Sequence, residues 1–142
     1  MTEFRAVDWL TFNPPVIDEY RATGGNVGGR WKGNPMLLLT TTGARSGRAR
    51  TSPLTYTVHD GLVVVIASKA GAPQHPAWYH NIVANPDVTV ELGSETYAAR
   101  ARIAAEPERS RLYDERIAEM PRFGEYRTLT DRVIPVVVLD RI

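Results

Sequence analysis

Short apolar runs broken at regular intervals by turn-forming residues constrain this chain most. Met36, Leu37, Leu38 and Leu39 form one run, and Leu62 to Ala67 form another. Between them lie two glycines in TTTGARSGRARTS (Thr40 to Ser52) and an Asp60-Gly61 pair. Runs this short cannot be helices of ordinary length, and their punctuation belongs to antiparallel strands joined by hairpins. The spacing predicts strands over Met36–Thr41, Arg50–Val58 and Leu62–Ala67, the last buried on both faces. A tight turn is predicted at His59-Asp60-Gly61, because Asp-Gly accepts positive φ.

The rest of the chain extends the pattern. Pro14 and Pro15 suit the first turn of a helix through Tyr20 and Arg21, ended by Gly24 and Gly25. Residues 1–13 read as an arm or short amphipathic helix, with peripheral membrane contact as the sharper alternative. GGNVGGRWKGNP reads as a loop. Pro76 opens a helix, PAWYHNIVAN, with Trp78, Asn81 and Asn85 on one face. Strands follow at Asp87–Leu92 and Thr96–Ala104 around Gly93-Ser94. Pro107 starts a further helix with an apolar stripe of Leu112, Tyr113, Ile117 and Met120. PRFGEYRTLTDR reads as a loop, and Val133–Leu139 as a last strand that Pro135 assigns to an edge or bulge. With 142 residues and no linker or repeat, one domain is expected. It is an α+β fold, a small mostly antiparallel barrel or half-barrel with flanking helices.

Charge singles out one region. The net charge is only +1, so nothing in the whole chain demands nucleic acid, although an RNA-binding barrel stays open as a rival. Yet no Asp or Glu occurs between Tyr20 and His59, while Arg21, Arg30, Lys32, Arg45, Arg48 and Arg50 do. A glycine-bearing loop that gathers N–H groups, hydroxyls and arginines suits phosphate or carboxylate. A solvated basic turn fits the spacing equally well. Lys69, beside Ser68 and Gly71 at the end of an apolar strand, is a second candidate anion contact.

Other chemistry is missing. The chain has no cysteine, hence no disulfide, thiol nucleophile or thiolate metal site. His59, His75 and His80 have no metal-ligand spacing, so no metal is expected. His59 reads as a turn residue and His80 as a helix-surface or site-rim residue. No GxSxG, Walker or GxGxxG run occurs. Without a signal-peptide core or a membrane-length apolar run, a cytoplasmic protein is expected. Anion contacts and apolar walls with few acid–base groups fit a cofactor that carries the reaction itself.

Three segments, LLLTTTGARSGRARTSPL, ASKAGAPQHPAWYHNIVANPDVTVEL and FGEYRTLTDRVIPVVVL, together with GGNVGG, resemble the deazaflavin-dependent nitroreductase family over about Pro14 to Leu139. The resemblance implies a split β-barrel of the FMN-binding type. It also implies coenzyme F420, a 5-deazaflavin with a phosphate and an oligoglutamate tail. The stretches matching the family's cofactor contacts are Ala44, Arg45 and Ser46; Arg50, Thr51, Ser52, Pro53, Leu54 and Thr55; Ile66, Ala67, Ser68 and Lys69; and Ala77, Trp78, Tyr79, His80 and Asn81. Arg45, Arg50 and Lys69 would meet the anionic tail. Pro53, Leu54 and Trp78 would wall the ring system, and Asn81 and the backbone near Ser68 would hydrogen-bond ring edges. The implied reaction is hydride transfer from the reduced cofactor to a quinone, an activated enone or a nitroaromatic. Phe123 stands where nitroimidazole-reducing members have tyrosine, while Tyr126 keeps its hydroxyl. Both are therefore candidates for positioning the acceptor, with quinones favoured over nitro compounds. An FMN-using relative of the same barrel and a non-catalytic F420 carrier are the alternatives. The oligomeric state is left open.

Overall fold

The computed structural model describes residues 9–28 and 35–142, with side chains from residue 14 onward. The expected arm at residues 1–8, and residues 29–34 of the glycine-rich loop, lie outside them.

In chain order the elements are helix α1 (Trp9–Thr23), strands β1 (Met36–Thr42), β2 (Ala49–Thr55), β3 (Thr57–His59) and β4 (Leu62–Ile66), and a 3-10 turn (Lys69–Gly71). Helix α2 (Ala77–Ala84), strands β5 (Asp87–Leu92) and β6 (Glu95–Ile103), helices α3 (Glu108–Glu119) and α4 (Arg122–Thr128), and strand β7 (Val136–Arg141) complete them. The strands form one antiparallel sheet in the order β2-β1-β5-β6-β7-β4-β3.

That order makes the sheet a split barrel. Its two outer strands, β2 and β3, are adjacent in sequence and separated only by Tyr56. The expected continuous strand from Arg50 to Val58 is thus broken. At Tyr56 the chain leaves β1 and joins β4, while the Tyr56 N–H bonds the Pro35 carbonyl at 3.2 Å. One segment forms both edges, so the sheet must curl until they meet.

Alternation along the strands then creates three apolar layers. Leu37, Leu39, Val65, Ala67, Val88, Val90, Ala99, Val137 and Leu139 face the barrel interior, which Trp78 and Ile82 of α2 plug. Met36 and Leu38 face the opposite way and are covered by Val16 and Tyr20 of α1. Val64, Val136 and Val138 face outward under α3 and α4, against Leu112, Tyr113, Phe123 and Tyr126. The expectation that the Leu62–Ala67 run is covered on both faces is met, because Val64 and Val65 belong to different layers.

Asp60 and Gly61 take φ of 53° and 78° in the β3–β4 hairpin, as the Asp-Gly signal requires. Gly24, at φ 66°, ends α1, and the Gly25 N–H returns to the Tyr20 carbonyl at 2.9 Å.

Three expectations are corrected. Helix α1 starts at Trp9, so Pro14 and Pro15 lie inside it and not in its first turn. Their fixed φ is helical, and the helix forgoes their missing donors. PRFGEYRTLTDR is not a loop throughout, since Arg122–Thr128 is helix α4. Burial of Phe123 and Tyr126, three residues apart, outweighs the breaking tendency of Gly124. Pro135 precedes β7, and β7 is an interior strand between β6 and β4. The Pro135 carbonyl still serves, accepting from the Ala67 N–H at 3.0 Å.

Candidate functional site

Of the four sequence segments expected to hold a cofactor, three meet through Leu54, Ala67 and Trp78 in the barrel-interior cluster, and Asn81 ties the fourth to them by its bond to the Ala44 N–H. The β1–β2 loop is closed by the Gly43 N–H on the Arg48 carbonyl at 2.8 Å and the Gly47 N–H on the Gly43 carbonyl at 2.9 Å. Gly47 has φ 69°, and a Cβ on Gly43 would collide with the Ser46 hydroxyl. Ser46 Oγ accepts from the Arg48 N–H at 3.2 Å. The N–H groups of Arg45 and Ser46 keep no partner among the described residues.

Helix α2 fixes this loop from below. Asn81 is buried, and its Oδ1 accepts from the Ala44 N–H at 2.9 Å. Its Nδ2 donates to Thr41 Oγ1 at 3.0 Å. Both ends of the amide are therefore committed to the loop and β1. Each bond uses one of the two hydrogen-bonding sites on its atom, so the expected contact with a ring edge would be an additional one. Trp78, also buried, packs in the barrel interior with Ala67 and Ile82, while Leu54 packs against the same cluster. It forms the floor of the region. Tyr79 is half-buried, and Ala77 and His80 are exposed.

Strand β2 is an edge of the sheet. Pro53 has no N–H and pairs with Leu38, so its nitrogen must face away from β1. Side-to-side alternation then turns the N–H groups of Thr51 and Thr55 the same way, toward the open edge. Thr51 and Thr40 share a hydroxyl hydrogen bond of 2.8 Å. Arg50 is exposed, Pro53 buried, and Thr51, Ser52, Leu54 and Thr55 half-buried. The edge thus offers backbone donors and apolar surface together.

The turn after β4 carries Lys69. Ser68 is right-handed (φ −78°, ψ −37°), then Lys69 (φ 46°), Ala70 (φ 53°) and Gly71 (φ 78°) all have positive φ. Two successive non-glycine residues in this region are uncommon. A right-handed residue followed by a left-handed one points successive N–H groups into one concavity, a common cradle for anions. The Ser68, Lys69 and Ala70 N–H groups have no hydrogen-bond partner among the described residues. The carbonyl of Ser68 is taken, because Arg132 Nη2 donates to it at 2.6 Å. Of the expected backbone contacts near Ser68, the donors remain.

The charge pattern distinguishes this region from the rest of the molecule. Arg45, Arg48, Arg50 and Lys69 are exposed. None takes part in an ion pair among the described residues, whereas Arg21, Arg100, Arg102, Arg109, Arg111, Arg127 and Arg141 all do. Cations left without acids beside unpartnered N–H groups match a phosphate or polycarboxylate ligand in donor chemistry. No group of three or more metal-ligating side chains occurs among the described residues.

Phe123 and Tyr126 sit in the outer layer beneath α3 and α4, exposed by only 6 % and 3 %. Their rings meet edge-on at 5.1 Å, and the Arg116 guanidinium lies 4.9 Å from the Phe123 ring centre. Burial pushes the Tyr126 phenol above its ordinary range, so it holds its proton more tightly. Their connection to the ligand region runs through the Lys69 turn, for a Cβ on Gly71 would meet Leu129 and the Tyr126 carbonyl at about 3 Å.

Three residues carried no sequence signal. His59 is more than a turn residue, with Nδ1 at 2.9 Å from Glu115 and Nε2 at 3.2 Å from Glu119, tying β3 to α3. Arg116 is 3 % exposed, gives one hydrogen bond to the Tyr56 carbonyl at 3.3 Å, and leaves Nη2 unpartnered. Arg132 binds the carbonyls around Lys69 from a distant part of the chain. Periodicity and local motifs do not report contacts of that separation. Two open clefts, of about 380 and 420 Å³, lie apart from the β1–β2 loop, and the second has Arg132 in its wall.

Comparison with known proteins agrees with this geometry. The model of the family described as F420H(2)-dependent quinone reductase matches residues 15–141. The F420H(2)-dependent quinone reductase Rv1261c of Mycobacterium tuberculosis is 41 % identical over 128 residues, covering 86 % of this chain and 85 % of that protein. A solved structure described as an F420-H2 dependent reductase (FDR-A) is 40 % identical, with TM-score 0.68 and coverage of 75 % of this chain and 94 % of that one. A domain-swapped dimer is 38 % identical, with TM-score 0.70 and coverage of 94 % and 98 %. On the extent of these matches, the chain belongs to the F420H(2)-dependent quinone reductase family.

Proposed function

We propose that this chain binds reduced coenzyme F420 across the β1–β2 loop, the outer edge of β2 and the Lys69 turn, and passes its hydride to a quinone. The observation that carries the reading is the set of exposed cations, Arg45, Arg50 and Lys69, left without acidic partners in a chain of this family. They would hold the phosphate and oligoglutamate tail. The N–H groups of Arg45, Ser46, Ser68, Lys69 and Ala70, with those of Thr51 and Thr55, would fix the remaining oxygens. Pro53, Leu54, Ile66, Ala67 and Trp78 would supply apolar walls and floor.

Reduced F420, when bound, supplies a hydride and acts as a two-electron carrier. The chain's own contribution is then orientation and exclusion of water. Tyr126 is only 3 % exposed, so solvent, which reaches an open site, would supply the proton that completes the hydroquinone. Phe123 and Tyr126 would back the acceptor side, through α4, as apolar support. A phenyl ring at residue 123 favours quinones and enones over nitroimidazoles, which gain from a hydroxyl at that place.

Titration with F420 and with FMN tests the cofactor. F420 is expected to bind at low micromolar concentration or tighter, about −8 kcal/mol, and FMN far more weakly. Comparable FMN binding would overturn the reading. Oxidation of reduced F420 by menadione, followed by absorbance, tests the reaction and separates an enzyme from a carrier. Among the described residues no helix is long and apolar enough to cross a membrane. The dimeric relative makes a dimer the state to test by light scattering.

A further inference from the structure

The Lys69 turn is held in its uncommon backbone conformation by one side chain. Arg132 Nε donates to the Ala72 carbonyl at 2.9 Å, Nη1 to the Ala67 carbonyl at 3.1 Å, and Nη2 to the Ser68 carbonyl at 2.6 Å. Nη1 also lies 2.9 Å from His75 Nδ1. An arginine donates only, so His75 accepts through Nδ1 and carries its proton on Nε2. Three carbonyls that flank the turn on both sides are thereby gathered on one planar guanidinium. Arg132 is partly buried and faces no carboxylate within ion-pair distance among the described residues.

The consequence is geometric. Fixing the carbonyls of Ala67 and Ser68 on one side turns the N–H groups of Ser68 and Lys69 to the other, while the Lys69 carbonyl, held by the Ala72 N–H, sets the Ala70 N–H. Two non-glycine residues at positive φ cost free energy and persist only where their surroundings over-determine them. The guanidinium supplies that determination, and Gly71 completes it by fitting against Leu129, where a Cβ would not. We infer that Arg132 is a positioning residue that holds the Ser68 and Lys69 N–H groups, and the Lys69 side chain with them, in the conformation that receives the anionic cofactor. This rests on the F420 reading above. Nothing else in the turn provides the planar three-carbonyl grip, and lysine, whose three donors share one nitrogen, cannot span the carbonyls that Nε, Nη1 and Nη2 reach separately.

Arg132→Lys and Arg132→Gln would be compared with Arg111→Gln, an exposed ion-paired arginine outside the region. Two readouts are taken: amide hydrogen exchange of Gly71 and Ala72 in cofactor-free protein, and the F420 dissociation constant. These amides bond the Ser68 and Lys69 carbonyls at 2.9 and 3.0 Å. Both Arg132 variants should exchange them at least tenfold faster, with β5–β6 amides unchanged. Their F420 affinity should fall about ten- to a hundredfold, as when groups that orient a ligand's direct contacts are removed. Unchanged exchange at Gly71 and Ala72 in Arg132→Lys would overturn the clamp, as would wild-type F420 affinity in that variant. Failure of the wild-type protein to bind F420 would instead overturn the cofactor reading, and the exchange result would still judge the clamp. If Arg132→Gln does not fold, Arg132→Lys, which keeps charge and stem, carries both readouts.

Discussion

Asn81→Ala separates a loop anchor from a ligand contact. The native amide makes two hydrogen bonds, to the Ala44 N–H at 2.9 Å and the Thr41 hydroxyl at 3.0 Å, and is buried. Each such bond contributes about 1 kcal/mol net, and a buried group left unpaired costs about 1–3 kcal/mol. The exposed loop lets water reach the Ala44 N–H, whereas Thr41 is 2 % exposed and can turn its hydroxyl only to the Arg50 carbonyl at 3.4 Å. A loss of about 2–3 kcal/mol follows, or roughly 5–10 °C in melting temperature for a domain of this size. Urea unfolding of the cofactor-free protein measures it directly. F420 affinity should fall as well, because the Ala44–Ser46 backbone loses its anchor. Asn81→Asp keeps the acceptor for Ala44 but replaces the donor to Thr41 and adds negative charge under a basic loop. It should bind F420 more weakly than Asn81→Ala while unfolding at a higher urea concentration. Weakened F420 binding by Asn81→Ala with undiminished stability would refute the reasoning and return Asn81 to the role of a ligand contact.

Replacing Arg45, Arg50 and Lys69 by Ala should each weaken F420 binding by about 1–3 kcal/mol, with a smaller effect for Arg48→Ala, and raised salt should weaken the wild type; titration of all four checks this. Arg116→Met should raise stability to urea by about 1 kcal/mol, because a buried guanidinium with an unpartnered nitrogen and no carboxylate within ion-pair distance carries a desolvation cost that Glu119, the Tyr56 carbonyl and the Phe123 ring offset only in part. Burial, then Arg132, then His80 hold the His75 imidazole below its ordinary range near 6.5, and the neutral Tyr79 ring covers one face. Its stabilising contribution is therefore complete above that range and declines as pH falls through it toward the lower folded value; urea midpoints from pH 7.5 to 5 should fall more for the wild type than for His75→Gln. Phe123→Tyr should raise the rate with a bicyclic nitroimidazole relative to menadione, read as oxidation of reduced F420.

Much of the sheet could be read from residues. The Met36–Leu39 run, the Asp60-Gly61 hairpin, the Gly93-Ser94 hairpin and the alternation of β5 report local forces, which sequence windows contain. The β1–β2 loop was legible for a different reason: an arginine-rich stretch with no acid nearby in sequence also has none nearby in space. What failed depended on partners far along the chain. Pro14 and Pro15 are inside a helix because α1 packs on Met36 and Leu38. Arg122–Thr128 is a helix because Phe123 and Tyr126 find α3. Pro135 precedes an interior strand because its missing N–H falls one residue outside the ladder. The anchoring role of Asn81 was not legible, because residue type does not say which protein groups an amide binds. Arg132 is 60 to 65 residues from the carbonyls it binds, so no local pattern could mark it.

Strand β7 is the only bridge between two parts of the described sheet, β2-β1-β5-β6 on one side and β4-β3 on the other. It is also the last of the seven strands to leave the ribosome. Until Val136–Arg141 emerges, β6 and β4 each present an unsatisfied edge, and Val64 and Val65 have a sheet neighbour only on the β3 side. Synthesis thus holds the nascent chain as two half-built pieces, with exposed strand edges that invite pairing with other chains. Ribosome pausing just before β7, or a lesion that removes it, would therefore act on the whole fold at once. A loss of similar length at β3 would remove only an outer three-residue strand.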